Sequence, residues 1–445
     1  MPPRDRRECG VAGPQRPSVA WLIKDRGHAA GAADQGVGMP DRRRAWRIAG
    51  AGMVALAVAM GIGRFAFTPL LPMMLNDRTV DLGSAAWLAS ANYFGYLCGA
   101  LLCACQPWIG TRLPRWSHVG ASTMVRGGLV ATAALTASVA LPLPAAWPGL
   151  RFAAGVASAV VLVGTSGWCL AQLALLRASA LGGVIFAGPG LGIVFSGLVA
   201  ERMLQAHWRA SSGWLLFGGL SCGLTACVWT AFSDAPGGGA PAATSTRTAP
   251  APEPHGKDEL AALTLAYGLA GFGYIVTATF LPVIARQALP GTPWLDLFWP
   301  LFGVGAVAGA LLAAGLDPAG DLRPWLAACY AVQAAGIAVT LGWPSLAGFA
   351  LGSSMLGLPF TAITFFAMRE ARRLRPESAA SCMALITAMY GVGQVAGPPL
   401  VGHLLQAGGP AAAGFNESLR IAMIALLVGA AICIGWMRAW PRHRD

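Results

Sequence analysis

Charged residues are scarce in this chain, 11% of 445 against 56% hydrophobic. So little polar surface cannot cover a soluble globule of this length, and the shortage places the chain in a membrane. The ten cysteines (Cys9, Cys98, Cys103, Cys105, Cys169, Cys222, Cys227, Cys329, Cys382, Cys433) form no CxxC pair and have no histidine cluster beside them. They read as small core residues rather than metal ligands or a redox pair. There is no phosphate-binding loop, no HExxH and no Ser/His/Asp arrangement, and the six histidines are isolated. Those absences argue against an ATP-driven pump and against a membrane-embedded enzyme, and no cofactor or metal is expected. The net charge of +12 does not point to nucleic acid, because the basic residues lie in short clusters between apolar segments, as topology signals do.

What is present is apolar sequence in long blocks. Twelve segments reach roughly 20 residues, enough to span a hydrocarbon core of ~30 Å as helices. They are 47–75, 85–109, 119–141, 145–172, 180–201, 210–232, 259–287, 294–316, 323–341, 344–369, 379–404 and 416–438. The connection 233–258 is rich in Ala, Pro, Gly and Thr, has no apolar period, and reads as a disordered cytoplasmic linker between a bundle over 46–232 and a second over 259–438. Residues 439–445 form a short tail. Residues 1–45 read as a disordered basic tail without a signal-peptide core, and Met39, just ahead of Arg42, Arg43 and Arg44, is a candidate alternative start. With the N-terminus inside, the cytoplasmic side collects most of the arginines, and the outer side keeps Arg78, Arg202, Arg209, Arg286 and Arg420. That bias puts both termini in the cytoplasm.

The halves repeat. Gly61, Gly63, Leu71 and Pro72 of GIGRFAFTPLLP recur 210 residues later as Gly271, Gly273, Leu281 and Pro282. Gly95, Gly99 and Ala100 recur at the same offset as Gly305, Gly309 and Ala310, and Gly188, Pro189 and Leu191 recur as Gly397, Pro398 and Leu400. Two copies in one orientation imply an axis along the membrane normal and a binding site between them near the midplane. The expected fold is therefore an all-α integral membrane protein of twelve helices in two parallel six-helix repeats.

This architecture resembles the major facilitator superfamily. Within it, GIGRFAFTPLLPMM (61–74) and WLASANYFGYLCGALL (87–102) resemble the YbfB/YjiJ family. Other superfamily motifs are worn: Arg151, Gly155 and Ala159 remain of the fourth-helix motif, Arg112 and Arg115 of the loop after the second helix, and Asp317 and Gly320 of its second-half copy. The resemblance implies a monomeric secondary transporter whose first, fourth, seventh and tenth helices line a central cavity.

Two arginines then stand out. Arg64 lies about 24 Å along the first helix, and Arg151 about 6 Å into the fourth from the other side, at a similar depth. A lipid-facing arginine there costs at least ~2.5 kcal/mol, so both are expected to face the cavity. No acid lies deep in a span; Asp296 is near the outer face, and His403 is the only deep titratable candidate for proton coupling. Unpaired guanidinium groups suit a carboxylate or phosphate, hence a small organic anion. The repeat equivalents, Tyr274 and about Phe360, add an aromatic wall. Arg64 could instead bond carbonyls freed by Pro69 and Pro72. Candidate substrate contacts are Arg64, Arg151, Tyr274, Asn92, Tyr93, Tyr96, Tyr267, Tyr390 and Gln394, and candidate gating positions are Gly61, Gly63, Pro69, Pro72 and Pro282. Gly61 and Gly63 suit close packing better than hinging. Trp147, Trp294 and Trp436 read as interfacial anchors. The expected function is secondary transport of a small organic anion across the inner (plasma) membrane; the alternatives are multidrug or metabolite efflux by antiport, and substrate sensing without transport.

Overall fold

A computed structural model describes residues 39–112, 120–232, 256–291, 294–316, 320–406 and 411–442. Among these residues every regular element is helical and there is no strand. The rods are α1 (Asp41–Asn76), α2 (Leu82–Arg112), α3 (Ala121–Ser138), α4 (Trp147–Leu175), α5 (Gly182–Gln205), α6 (Ala210–Val228), α7 (Gly256–Ala288), α8 (Phe298–Ala314), α9 (Arg323–Gly342), α10 (Leu346–Leu374), α11 (Ala379–Gln406) and α12 (Ala411–Ala439). Ten are long and apolar enough to cross a membrane; α3 is outside that group, and α8 is apolar but has only 17 residues. The expectations for residues 1–38 and for most of the linker, 233–255, lie outside the described residues, as does Asp317. Helix begins earlier than the sequence suggests at both bundle entrances, at Met39, just ahead of the stretch named α1, and at Gly256.

Ala, Leu and Gly dominate these rods, and proline sits inside several of them, as at Pro72, Pro189, Pro282 and Pro359. An interior proline costs ~3 kcal/mol in a helix surrounded by water. Neighbouring helices and side chains can re-satisfy the freed carbonyls when the rod is packed in a membrane bundle. Large apolar side chains such as Trp87, Phe94, Leu102, Leu215 and Leu312 remain exposed on the outside, the surface a lipid-embedded bundle presents.

The packing has a repeated order. In the first half α1 lies on α5, α2 on α4, and α3 on both α4 and α6; in the second, α7 lies on α11, α8 on α10, and α9 on both α10 and α12. The halves meet along α2–α11 and α5–α8. Small residues bring the rods together: a methyl on Gly61 would come within 3.0 Å of the Pro189 carbonyl and strike the Gly192 backbone, and one on Gly155 would strike the Asn92 carbonyl. Such contacts replace the hydrophobic drive that lipid cannot supply.

Two readings change here. Cys103, Cys169, Cys382 and Cys433 are buried, but Cys105, Cys222 and Cys227 are exposed on the bundle's outer surface, where an apolar thiol is tolerated next to lipid. Trp294 is exposed as an anchor would be, whereas Trp147 and Trp436 are buried. Their indole N–H groups donate to the Leu141 carbonyl and to Glu259, so each is a packing residue with a satisfied polar end.

Candidate functional site

The site grows out of a break in α1. Over Ala57–Ile62 the helix widens to a π turn, and the amides of Gly63 and Phe65 reach back to the carbonyls of Val58 and Met60. The Thr68 amide donates to Phe65 at 3.2 Å rather than to Arg64. Arg151, on α4, takes up the slack: its Nη1 donates to the Gly63 carbonyl and its Nη2 to the Arg64 carbonyl, both at 3.2 Å. Its guanidinium lies over Phe67 and Trp214. Arg151 is thus the side chain that satisfies carbonyls in the broken stretch of α1, the structural role the sequence allowed for Arg64.

Arg64 itself is only 2% exposed and points the other way, into the interface between the halves. Its Nη2 donates to the side-chain oxygen of Gln394 on α11, and the Gln394 amide donates to the hydroxyl of Tyr274 on α7. The guanidinium carbon sits 4.0 Å from the Tyr96 ring centroid, with Tyr93 and Phe65 at 5.1 and 5.5 Å. Cation–π contact with a tyrosine face offsets part of the cost of burial. The Nε and Nη1 atoms of Arg64 have no hydrogen-bond partner, and among the described residues no carboxylate pairs with either arginine.

The aromatic candidates gather against this cation from the second half. Tyr390 stacks with both Tyr274 and Tyr267, at 5.6 and 4.5 Å, and Phe360 closes on Tyr274 at 4.8 Å and on Phe65 at 5.7 Å. The Tyr267 hydroxyl donates to Thr364 on α10. Asn92 behaves differently, donating to the Arg151 carbonyl at 2.9 Å and pinning α2 to α4. Tyr93 bonds Thr279 across the halves at 2.9 Å, and Thr68 donates to the Ala278 carbonyl at 3.2 Å.

Of the gating candidates, Gly61 and Gly63 are contact points, against α5 and against Thr132 of α3. Pro72 and Pro282 lie inside helices, buried, and Pro69 follows the break in α1. His403 is not deep: it sits exposed in the last turn of α11, so it cannot supply a titratable group to this site. The side chain of Asp296 lies outside the described residues. The sequence reading missed Thr279 and Ala278. Ala278 stands 210 residues after Thr68, the offset at which Gly61 and Gly63 recur, and that offset was the signal available for it.

A second polar cluster closes one end of the other half. Glu259 at the start of α7, Glu370 near the end of α10 and Asp321 before α9 meet Arg323, Arg373 and Arg442. Arg323 holds Asp321 at 2.8 Å, and Arg442, from the tail, reaches Glu370 at 3.0 Å and Asp321 at 3.1 Å. Burial pushes the Asp321 carboxyl up, but the hydrogen bonds and charge of Arg323, with the charge of Arg373, outweigh it and hold the group below the usual carboxylate value.

A family described as "Uncharacterised MFS-type transporter YbfB" matches residues 56–434, and the chain belongs to that family. A chloramphenicol resistance protein of Streptomyces lividans is 29% identical over 375 residues, which cover 78% of this chain and 86% of that protein. Among solved structures, a point mutant of the nucleoside transporter NupG aligns with a TM-score of 0.60 at 13% identity, covering 87% of this chain and 99% of the other. At that identity the likeness speaks for the fold. Family and fold are those of transporters, not enzymes.

Proposed function

We propose that this member of the YbfB-type family is a secondary active transporter that carries a small organic anion across the inner membrane by alternating access. Its substrate sits between the two halves at Arg64. The observation that carries the reading is the state of that side chain: a permanent cation, 2% exposed, with Nε and Nη1 unpartnered and no carboxylate against it among the described residues. A guanidinium in that condition binds a carboxylate or phosphate through charge-assisted hydrogen bonds better than any neutral ligand. The stacked Tyr274, Tyr390 and Tyr267 offer a face for an apolar or aromatic body.

In this reading twelve spans form two parallel repeats that rock about the site as a monomer, with both termini cytoplasmic. Three features support it: the repeated helix pairings, the contact between Thr68 and its repeat equivalent Ala278, and the arginine bias along the sequence. The route from Arg64 through Gln394 to Tyr274 joins the halves by side chains alone. A carboxylate that takes either edge of the guanidinium, Nε with Nη2 or Nη1 with Nη2, competes with Gln394 for Nη2, so occupancy and the relation of the halves become coupled. Bonds across the halves at Thr68 and Tyr93, and the Phe186–Phe365 contact at 5.7 Å, must break on alternate sides for the site to open.

Export of an aromatic drug is a second reading, favoured by the tyrosine stack and by the relative named for chloramphenicol resistance. A binding screen of the purified protein against carboxylates, phosphonates, chloramphenicol and cationic drugs separates the two. Binding confined to acids supports the anion reading; chloramphenicol or cationic drugs bound with no acid bound would replace it.

A further inference from the structure

On the outer surface of the first half, away from the central site, a groove of about 330 Å³ runs between α3 and α6. Small residues make it, since Gly218 lies directly against Ala137, and Gly219 has no atom within 4 Å of where a Cβ would stand. Thr225 lines the groove, is 4% exposed, and its hydroxyl has no partner. One helical turn beyond Val130 and Thr225 lie Arg126 and Trp229. Arg126 Nε and Nη2 donate to the Trp229 carbonyl at 3.1 and 2.8 Å, and the guanidinium carbon is 4.9 Å from the indole centroid. That arrangement fixes a cation at the mouth of an apolar channel and leaves Nη1 for an outside acceptor.

We propose that this groove binds an anionic phospholipid, with one acyl chain between α3 and α6, an ester carbonyl at Thr225 and the phosphate at Arg126. Each part of such a lipid meets its match at the right level: hydrocarbon on small apolar residues, a hydrogen-bond acceptor at the orphaned hydroxyl one turn up, and an anion at the guanidinium. A tryptophan that is 41% exposed beside the arginine suits the boundary between chain and headgroup. A second copy docking the same face about a two-fold axis would bring another Arg126 and no anion. The charge at the groove mouth therefore favours lipid over a dimer contact.

The full chain, purified and stripped of lipid in neutral detergent, is titrated with palmitoyl-oleoyl phosphatidylglycerol and, separately, phosphatidylcholine with the same chains. Bound lipid is counted by native mass spectrometry. Wild type should prefer phosphatidylglycerol by about fivefold, the weight of one basic side chain at a membrane surface. Arg126→Gln should lose the preference while still taking up lipid, and Gly219→Leu, whose Cβ would meet no atom within 4 Å and whose side chain would occupy the groove, should lose tight uptake of both. Alkylation of the native Cys222, which lines the groove, should slow when phosphatidylglycerol is bound. The proposal is overturned if wild type shows no headgroup preference, or if Gly219→Leu binds as wild type does. It also fails if Cys222 of two copies crosslinks in place of lipid protection. None of these outcomes depends on what Arg64 binds.

Discussion

Gly155→Ala is the sharpest test of how the helices of the first half are held together. A methyl at Gly155 would collide with the Asn92 carbonyl and come within 2.8 Å of the Tyr96 amide, both backbone atoms of α2. No side chain can rotate away, so α2 and α4 must separate, and the Asn92–Arg151 bond across them goes too. Overpacking costs about 1–3 kcal/mol, with a backbone collision at the upper end. Replacing a mid-helix glycine by alanine returns only about 0.5–1 kcal/mol. The variant should therefore lose roughly 2 kcal/mol of folding stability. Gly223→Ala in α6 is the control, because nothing lies within 4 Å of its Cβ position and only the helix gain applies. Unfolding of both variants in one detergent, followed by helical circular dichroism, gives the comparison. Equal stability, or a more stable Gly155→Ala, would refute the close approach of α2 to α4.

Other perturbations separate roles that look alike in the sequence. Arg151→Lys leaves one ammonium for two carbonyls, so the protein should lose about 1–3 kcal/mol of stability, whereas Arg64→Lys should unfold near wild type and lose ligand affinity. Because the Asp321 carboxyl is held low in the folded protein, its contribution is present above its unfolded value and is lost as pH falls through the folded one. Thermal stability should thus drop on acidification below about pH 4, and Asp321→Asn should flatten that drop; an unchanged acid profile contradicts the assignment. Reporter fusions after Arg247 and after Arg442 should both report cytoplasm, and a periplasmic signal at either place breaks the twelve-span topology.

The sequence carries the bundle plainly and the site in part. Apolar blocks and the 210-residue echo survive in the chain because each rod needs length and each close contact needs glycine, as at Gly61 and Gly271. The division of labour between Arg64 and Arg151 is not legible there. It depends on a π turn that shifts which carbonyls of α1 are free, and nothing in AVAMGI announces one. His403 and Trp436 show the same limit from two sides: where a helix ends, which puts His403 in its last turn, and the face a side chain takes are both set by packing against segments distant in sequence. Trp436 is buried because Glu259 accepts its N–H, and Arg442 is held by carboxylates of three separate segments.

The anion site at Arg64 is tested most directly by calorimetric titration of wild type and Arg64→Gln with whichever acid the binding screen returns, at matched ionic strength and with melting temperatures recorded alongside. Removing the cation takes away a charge-assisted contact worth about 1.5–3 kcal/mol, so affinity should fall by roughly ten- to a hundredfold or beyond detection, while the melting temperature holds because relief of a buried unpaired charge offsets the lost bond to Gln394. Unchanged affinity in Arg64→Gln would contradict the account and return Arg64 to a bond between helices through Gln394.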